Sequence, residues 1–168
     1  MTGLESFHQE IILEHYRRPL HAGLREPFDA QVHHVNPDGE DEVTVRVTLN
    51  DAGSEPVLAD VSYRALGCSI SVASVSVMAD IIIGKTVREA TDISEAFLNL
   101  MLSRGNTEPD EDMLGDAVAF ASLSKYPSRI KCVLLGWMAW KDATTRALSQ
   151  QDETPAANRA PGVREHQP

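Results

Sequence analysis

The sequence predicts an α+β fold: a small three-stranded antiparallel sheet with helices packed on one face. Three observations carry this. An amphipathic helical stretch opens the chain, alternating apolar runs fill residues 31–65, and helical patterns dominate from Ser69 onward. The order is helix, then strands, then helices.

The first helix runs from about Leu4 to Arg17, because Phe7, Ile11, Ile12 and Tyr16 recur at helical spacing. Pro19 ends it, and the segment to Pro27 is loop-like. His8, His15 and His21 fall here. No acid or cysteine is interleaved at matching spacing, so they are expected on the surface or facing a partner rather than on a metal. Gln31 to Val35 is a first strand, and Asn36-Pro37-Asp38-Gly39-Glu40-Asp41 is a turn by composition. Val43, Val45, Val47 and Leu49 alternate with Thr44, Arg46 and Thr48, which describes a strand with one buried face. After the turn of Asn50 to Pro56, Leu58 to Ala65 forms the third strand, antiparallel to the second.

Gly67 then permits a tight turn, and Cys68 stands where a helix begins. That helix extends from Ser69 to about Ile83, with small residues in its first half and Gly84 at its end. A further helix starts at about Val87 or Ser94 and reaches Leu102; Arg104 to Asp112 is an acidic loop; Met113 to Leu123 is a short helix. Pro127 opens a long last helix, from about Ser128 to Leu148, with Cys132 in its first turns. The expected division is one domain over residues 1–150 and an unstructured tail over 151–168, where apolar bulk is almost absent.

The chain has 168 residues, enough for one domain with a real core. Its 15 Lys and Arg against 25 Asp and Glu give a net charge of -10. Nucleic acid and anionic membranes are poor partners for such a surface. No apolar run is long enough to span a bilayer, and the first residues lack a signal-peptide pattern, so the chain is expected to be cytoplasmic. Two cysteines are too few for a disulfide framework; reduced thiols are available for metal or sulfur chemistry.

Helix starts present unpaired N–H groups, and a thiol placed there is biased toward thiolate. Cys68 alone also reads as a small residue closing a strand–helix turn. Both cysteines sit at helix starts and Asp41 at a strand start, so the three are able to meet at one end of the sheet.

These residues carry a resemblance. Asn36-Pro37 with Asp41-Glu42-Val43, then Gly67-Cys68-Ser69-Ile70-Ser71, then Tyr126-Pro127-Ser128-Arg129-Ile130-Lys131-Cys132 resemble the three signature regions of the IscU-like iron–sulfur cluster assembly proteins. Ile11-Ile12-Leu13-Glu14-His15-Tyr16 with Pro19 resembles that family's first helix, and the likeness covers roughly residues 4 to 148. Lys131 precedes Cys132 where IscU proper has a histidine, and the helix and acidic loop of about Ser94 to Asp112 lie between the two cysteines. Both features are similar to the SufU branch.

The resemblance implies an α+β fold and a partner, a SufS-type cysteine desulfurase, which makes a persulfide with pyridoxal phosphate. It implies zinc, held by three cysteines and one aspartate, or a transient iron–sulfur cluster. A desulfurase histidine is thought to take over zinc ligation and free one cysteine for sulfur. By position, Asp41, Cys68 and Cys132 match three of the four ligands, and Arg129 matches an arginine near the site. Thiolate and carboxylate both serve zinc, and thiolates also suit iron–sulfur clusters.

The family pattern Asn-Pro-x-Cys-Gly-Asp breaks at its cysteine, where this chain has Gly39. Asp38, Glu40 or water is then left to supply the fourth ligand, and Cys68 or Cys132 to accept sulfur. The resulting protein is expected to activate a desulfurase as sulfur acceptor or scaffold, rather than to act as an ordinary enzyme. The alternative is a degenerate member that binds the desulfurase as a regulator without accepting sulfur. A thiol enzyme of another kind has no supporting motif here.

Overall fold

The computed structural model describes residues 3–37 and 40–153, with side chains to residue 150. Helix α1 spans Gly3–Arg17, strands β1 Ala30–Val35, β2 Glu42–Asn50 and β3 Val57–Leu66, then α2 Ser69–Ile82 and α3 Val87–Leu102. A single turn, α4 (Glu111–Leu114), runs into a 3-10 stretch, Gly115–Lys125, and α5 covers Pro127–Glu153. The sheet is antiparallel in the order β1-β2-β3.

Alternation decides which face is buried. Ala30, Val32, Val43, Val45, Val47, Val61 and Tyr63 line one face and are buried. In register, Ala30 faces Val47, Val32 faces Val45 and Val45 faces Tyr63, so they stack into one apolar layer. Helices α2 and α5 lie on that layer, and α1 packs in turn on α2 and the 3-10 stretch. Trp137 of α5 stacks on Phe97 of α3 with centroids 4.3 Å apart, and Phe97 meets Phe120 edge-on. The opposite face is partly covered by the segment after α1: Arg46 lies 4.2 Å over the Phe28 ring, and Arg25 makes a two-pronged pair with Asp60, both contacts 2.8 Å. At the other end of this face Val35 and Leu66 are half exposed.

The first helix departs from its predicted face. Phe7 and Tyr16 are exposed, while His8 and His15 are buried. His15 is not a surface group: it joins Ser76 Oγ at 2.8 Å and Asp116 Oδ2 at 3.0 Å, and Ser76 also receives the N–H of Leu20. With both ring nitrogens partnered, an imidazole is accommodated between α1, α2 and the 3-10 stretch where an apolar side chain was expected. His21 lies outside the helix and pairs with Asp80 at 3.1 Å.

Of the two expected starts of the next helix the earlier is taken, and one later boundary moved. Helix α3 starts at Val87 because Thr86 and Glu89 form a reciprocal capping box: Glu89 N–H donates to Thr86 Oγ1 at 3.0 Å and Thr86 N–H to Glu89 Oε1 at 2.9 Å. The helix expected over Met113–Leu123 begins earlier, at Glu111, under an Asp110 cap, and breaks at Gly115, whose φ of +52° and ψ of -131° cannot continue it. The expected tail lies outside the described residues, except that α5 carries on to Glu153.

Candidate metal centre

Two turns and the start of a helix bring the site residues to the same end of the sheet. The β1–β2 turn delivers Asp41, one residue before β2; the β3–α2 turn delivers Cys68; the start of α5 delivers Cys132. One ligand atom from each, a carboxylate oxygen and two Sγ atoms, lies within 4.8 Å of the others. Asp41 is buried, at 4% exposure, and both cysteines are half-buried. No other described His, Cys, Asp or Glu joins this cluster.

The Cys68 position is fixed by Asp41. Cys68 is the residue before α2, in extended conformation, and its side chain does not cap the helix. Its N–H donates instead to Asp41 Oδ1 at 2.8 Å, and its Sγ reaches Asp41 Oδ2 at 3.7 Å. A carboxylate at a helix N-terminus is well placed, since the first N–H groups have no partner within the helix. Gly67 makes this approach possible. Its φ is +131°, and a Cβ there would overlap Asp41 Oδ1 and stand 2.8 Å from Asp41 Cα. The turn glycine of the sequence is therefore required both for conformation and for space.

The Cys132 position is fixed by serines of α2. Ser71 Oγ donates to the Cys132 carbonyl at 3.2 Å and Ser74 Oγ to the Val133 carbonyl at 2.6 Å; Trp137 Nε1 donates to Ser74 Oγ at 3.0 Å. Gly136 lets α5 press on α2, since a Cβ there would stand 2.8 Å from Val75 Cβ. Ser71 also touches Cys68 Sγ at 3.6 Å, and Asn36 Nδ2 reaches Cys132 Sγ at 4.0 Å. Ser71 and Ser74 were read in sequence only as small packing residues. The recurrence of serine at 71, 74 and 76 among the valines and alanines of this helix is the available signal.

The electrostatics follow from this crowding. Burial works to raise the Asp41 carboxyl, but hydrogen bonds from the Cys68 N–H, both thiols and Ser71 outweigh it and hold it below the usual carboxylate range. Burial, then the neighbouring Asp41 and Cys68, push the Cys132 thiol up to about 12. Two thiols beside a carboxylate repel one another as anions, which is the field a divalent cation relieves. The donor set fits zinc: sulfur and carboxylate oxygen are among its ordinary ligands, and three protein donors leave one position for another group.

The remaining sequence candidates lie elsewhere. Arg129 is on the exposed first turn of α5, and its side chain bonds to no described residue. Glu40 is exposed and outside the cluster. Asp38 and Gly39 lie outside the described residues.

The family model described as the NifU-like N-terminal domain matches residues 7–133, a span that begins in α1 and ends just past Cys132. The chain belongs to this family. Within it, the chain is a SufU-type, IscU-like member. It is 32% identical to the iron–sulfur cluster assembly scaffold protein IscU of Streptococcus pyogenes serotype M1, over 92% of each chain. It is 34% identical to the zinc-dependent sulfurtransferase SufU of Bacillus subtilis, over 82% of this chain and 89% of that one. Among solved structures, FiSufU from Fervidobacterium islandicum AW-1 superposes with a TM-score of 0.69 at 34% identity, covering 80% of this chain and 93% of that one. The fold predicted from the order of elements is the fold of these proteins. Among the described residues no helix is long and apolar enough to cross a membrane.

Proposed function

We propose that the chain is a SufU-like, zinc-binding protein of iron–sulfur cluster assembly that accepts sulfur from a cysteine desulfurase in the cytoplasm. The convergence of Asp41, Cys68 and Cys132 within 4.8 Å carries this reading, because three sequence-distant donors meet at one point, and the family resemblance implies a ligand at each of them. Two relatives support it by their names: one is a zinc-dependent sulfurtransferase, another an iron–sulfur scaffold. Asp41, Cys68 and Cys132 would hold the zinc, which supplies charge to keep the thiols deprotonated and capped. Asp38, Glu40, water or a partner's side chain completes the coordination. A transient iron–sulfur cluster suits the same thiols.

Sulfur acceptance falls to Cys68. The attacking sulfur has to meet the partner, and Cys68 stands on the turn before α2, whereas Cys132 lies within α5. The Cys68 thiolate attacks the terminal sulfur of the desulfurase persulfide. The donor's S–S bond breaks, the desulfurase thiolate leaves, and the sulfur remains on Cys68 as a persulfide. Arg129, exposed on the first turn of α5, would meet the partner or the incoming group.

The test is metal analysis of the native protein with Asp41→Asn, Cys68→Ser, Cys132→Ser and Gly39→Cys variants, alongside cysteine turnover by a SufS-type desulfurase. The expected result is about one zinc per chain, lost in the first three variants, with faster desulfurase turnover on addition of the native protein. Native protein free of zinc and without effect on the desulfurase overturns the reading. A second reading rests on Gly39: a protein that docks on the desulfurase as a regulator. Binding by calorimetry, with no persulfide on either cysteine by mass spectrometry, selects it.

A further inference from the structure

Cys68 and Cys132 are the only cysteines in the sequence, and their Sγ atoms lie within 4.8 Å of each other. We propose that Cys132 resolves a persulfide formed on Cys68, releasing hydrosulfide and leaving a Cys68–Cys132 disulfide. This rests on the sulfur-acceptor reading above.

The electrons balance within the pair. Cys68 carries the sulfane sulfur as Cys68–S–SH. The Cys132 thiol gives its proton to water as its sulfur attacks the inner sulfur, Cys68 Sγ. A Cys68–Cys132 S–S bond forms, the bond to the terminal sulfur breaks, and that sulfur leaves as hydrosulfide. The sulfane sulfur is reduced by two electrons, and the two thiols are oxidised by two. An external dithiol reductant returns the disulfide to two thiols by exchange. Attack at the terminal sulfur would only move the persulfide from one cysteine to the other. Attack at the inner sulfur expels hydrosulfide, whose parent acid is stronger than a cysteine thiol and which therefore leaves faster.

The geometry favours this pairing. The gap between the two sulfurs has to close to about 2.05 Å. Neither sulfur is held by a strong bond: Cys68 Sγ touches Ser71 Oγ at 3.6 Å and Asp41 Oδ2 at 3.7 Å, and Cys132 Sγ reaches the Ser128 carbonyl at 3.8 Å. The Ser71 bond to the Cys132 carbonyl at 3.2 Å keeps the two residues side by side while their side chains turn. With glycine at position 39, no third thiol of this chain competes for the persulfide. Disulfide formation and metal ligation use the same sulfurs, so a bound metal protects the pair.

The experiment treats the zinc-stripped full chain with glutathione persulfide and no other reductant. Released sulfide is measured by colorimetry and the protein by intact mass and peptide mapping. The expected result is about one hydrosulfide per chain and a Cys68–Cys132 disulfide. Cys132→Ser and Cys132→Ala should instead retain one added sulfur on Cys68 and release about tenfold less hydrosulfide; circular dichroism establishes that both are folded. Zinc-loaded protein should form little disulfide. Native protein that retains the added sulfur without a disulfide, or a folded Cys132 variant that releases as much hydrosulfide as native, overturns the proposal. Zinc content and desulfurase stimulation of the same preparation separate the two readings. If both are normal and no disulfide forms, only this inference fails; if both are absent while the disulfide forms, only the proposed function fails.

Discussion

Gly67→Ala tests the way the centre is built. At φ +131° a side chain is strained, at a cost of order 1–3 kcal/mol. The new Cβ would also overlap Asp41 Oδ1 and press on Asp41 Cα at 2.8 Å. Turning the Asp41 side chain relieves the first clash but not the second, which is with backbone. The carboxylate must then give up its bond to the Cys68 N–H, a charge-assisted bond contributing about 1.5–3 kcal/mol. Together the loss is about 2.5–6 kcal/mol, a large part of the 5–15 kcal/mol that typically holds a domain together. Urea denaturation of chelator-treated protein reads this directly. With a slope near 2 kcal/mol per molar, the midpoint falls by about 2 M. Gly53→Ala is the control, since nothing lies within 4 Å of its Cβ and its φ is not in the left-handed region. Zinc competition with a chromogenic chelator gives the functional half: Gly67→Ala weakens binding because Asp41 is displaced. An alanine variant that matches native protein in both midpoint and zinc affinity refutes the account.

Ser74→Ala removes the bond to the Val133 carbonyl and leaves the Trp137 N–H buried and unpaired, so it should cost about 1–3 kcal/mol in urea denaturation; a neutral result removes the serine ties as the link between α2 and α5. The Asp60 carboxyl is held low chiefly by its hydrogen bond from Arg25. A folded-state value below the unfolded one near 4 stabilises the protein above pH 4, and that stability is lost as pH falls through the folded value. Asp60→Asn should therefore flatten part of the acid limb of a stability-versus-pH curve, by about 1 kcal/mol given the pair's exposure; an unchanged acid limb shows that the pair contributes nothing. Zinc at a hundredfold excess over its dissociation constant should stabilise the native protein by about 2.7 kcal/mol, and chelator should abolish the gain. Thermal melts check this, and Cys132→Ser should show no zinc-dependent shift.

The sheet was legible because alternation is a strong signal. Val43, Val45, Val47, Val61 and Tyr63 all point to one layer, and the structure buries all five. The first helix was legible in extent but not in orientation. Apolar periodicity placed Phe7 and Tyr16 inward, whereas the inward line is His8, Ile12 and His15. A polar residue at a core position is invisible to an apolar count unless its partners are known, and Ser76 and Asp116 lie 61 and 101 residues away. The 3-10 stretch was read as a helix because nothing in Ala117–Leu123 contradicts one; the break comes from the backbone of a single residue, Gly115.

The site shows the same division. Asp41, Cys68 and Cys132 are recognisable as residue types, but their meeting depends on ties that carry no motif. Asp41 accepts from the Cys68 N–H, Gly67 yields the space, and Ser71 and Ser74 hold the carbonyls of Cys132 and Val133. Asp41 thereby has two tasks, serving the start of α2 and facing the thiols. Its replacement by asparagine separates them, because an amide oxygen still accepts from Cys68 N–H while the negative charge is gone. All of these ties run between residues other than 39. A cysteine introduced at Gly39 therefore leaves every one of these tied residues unchanged, and urea denaturation beside the zinc titration separates an effect on affinity from one on folding.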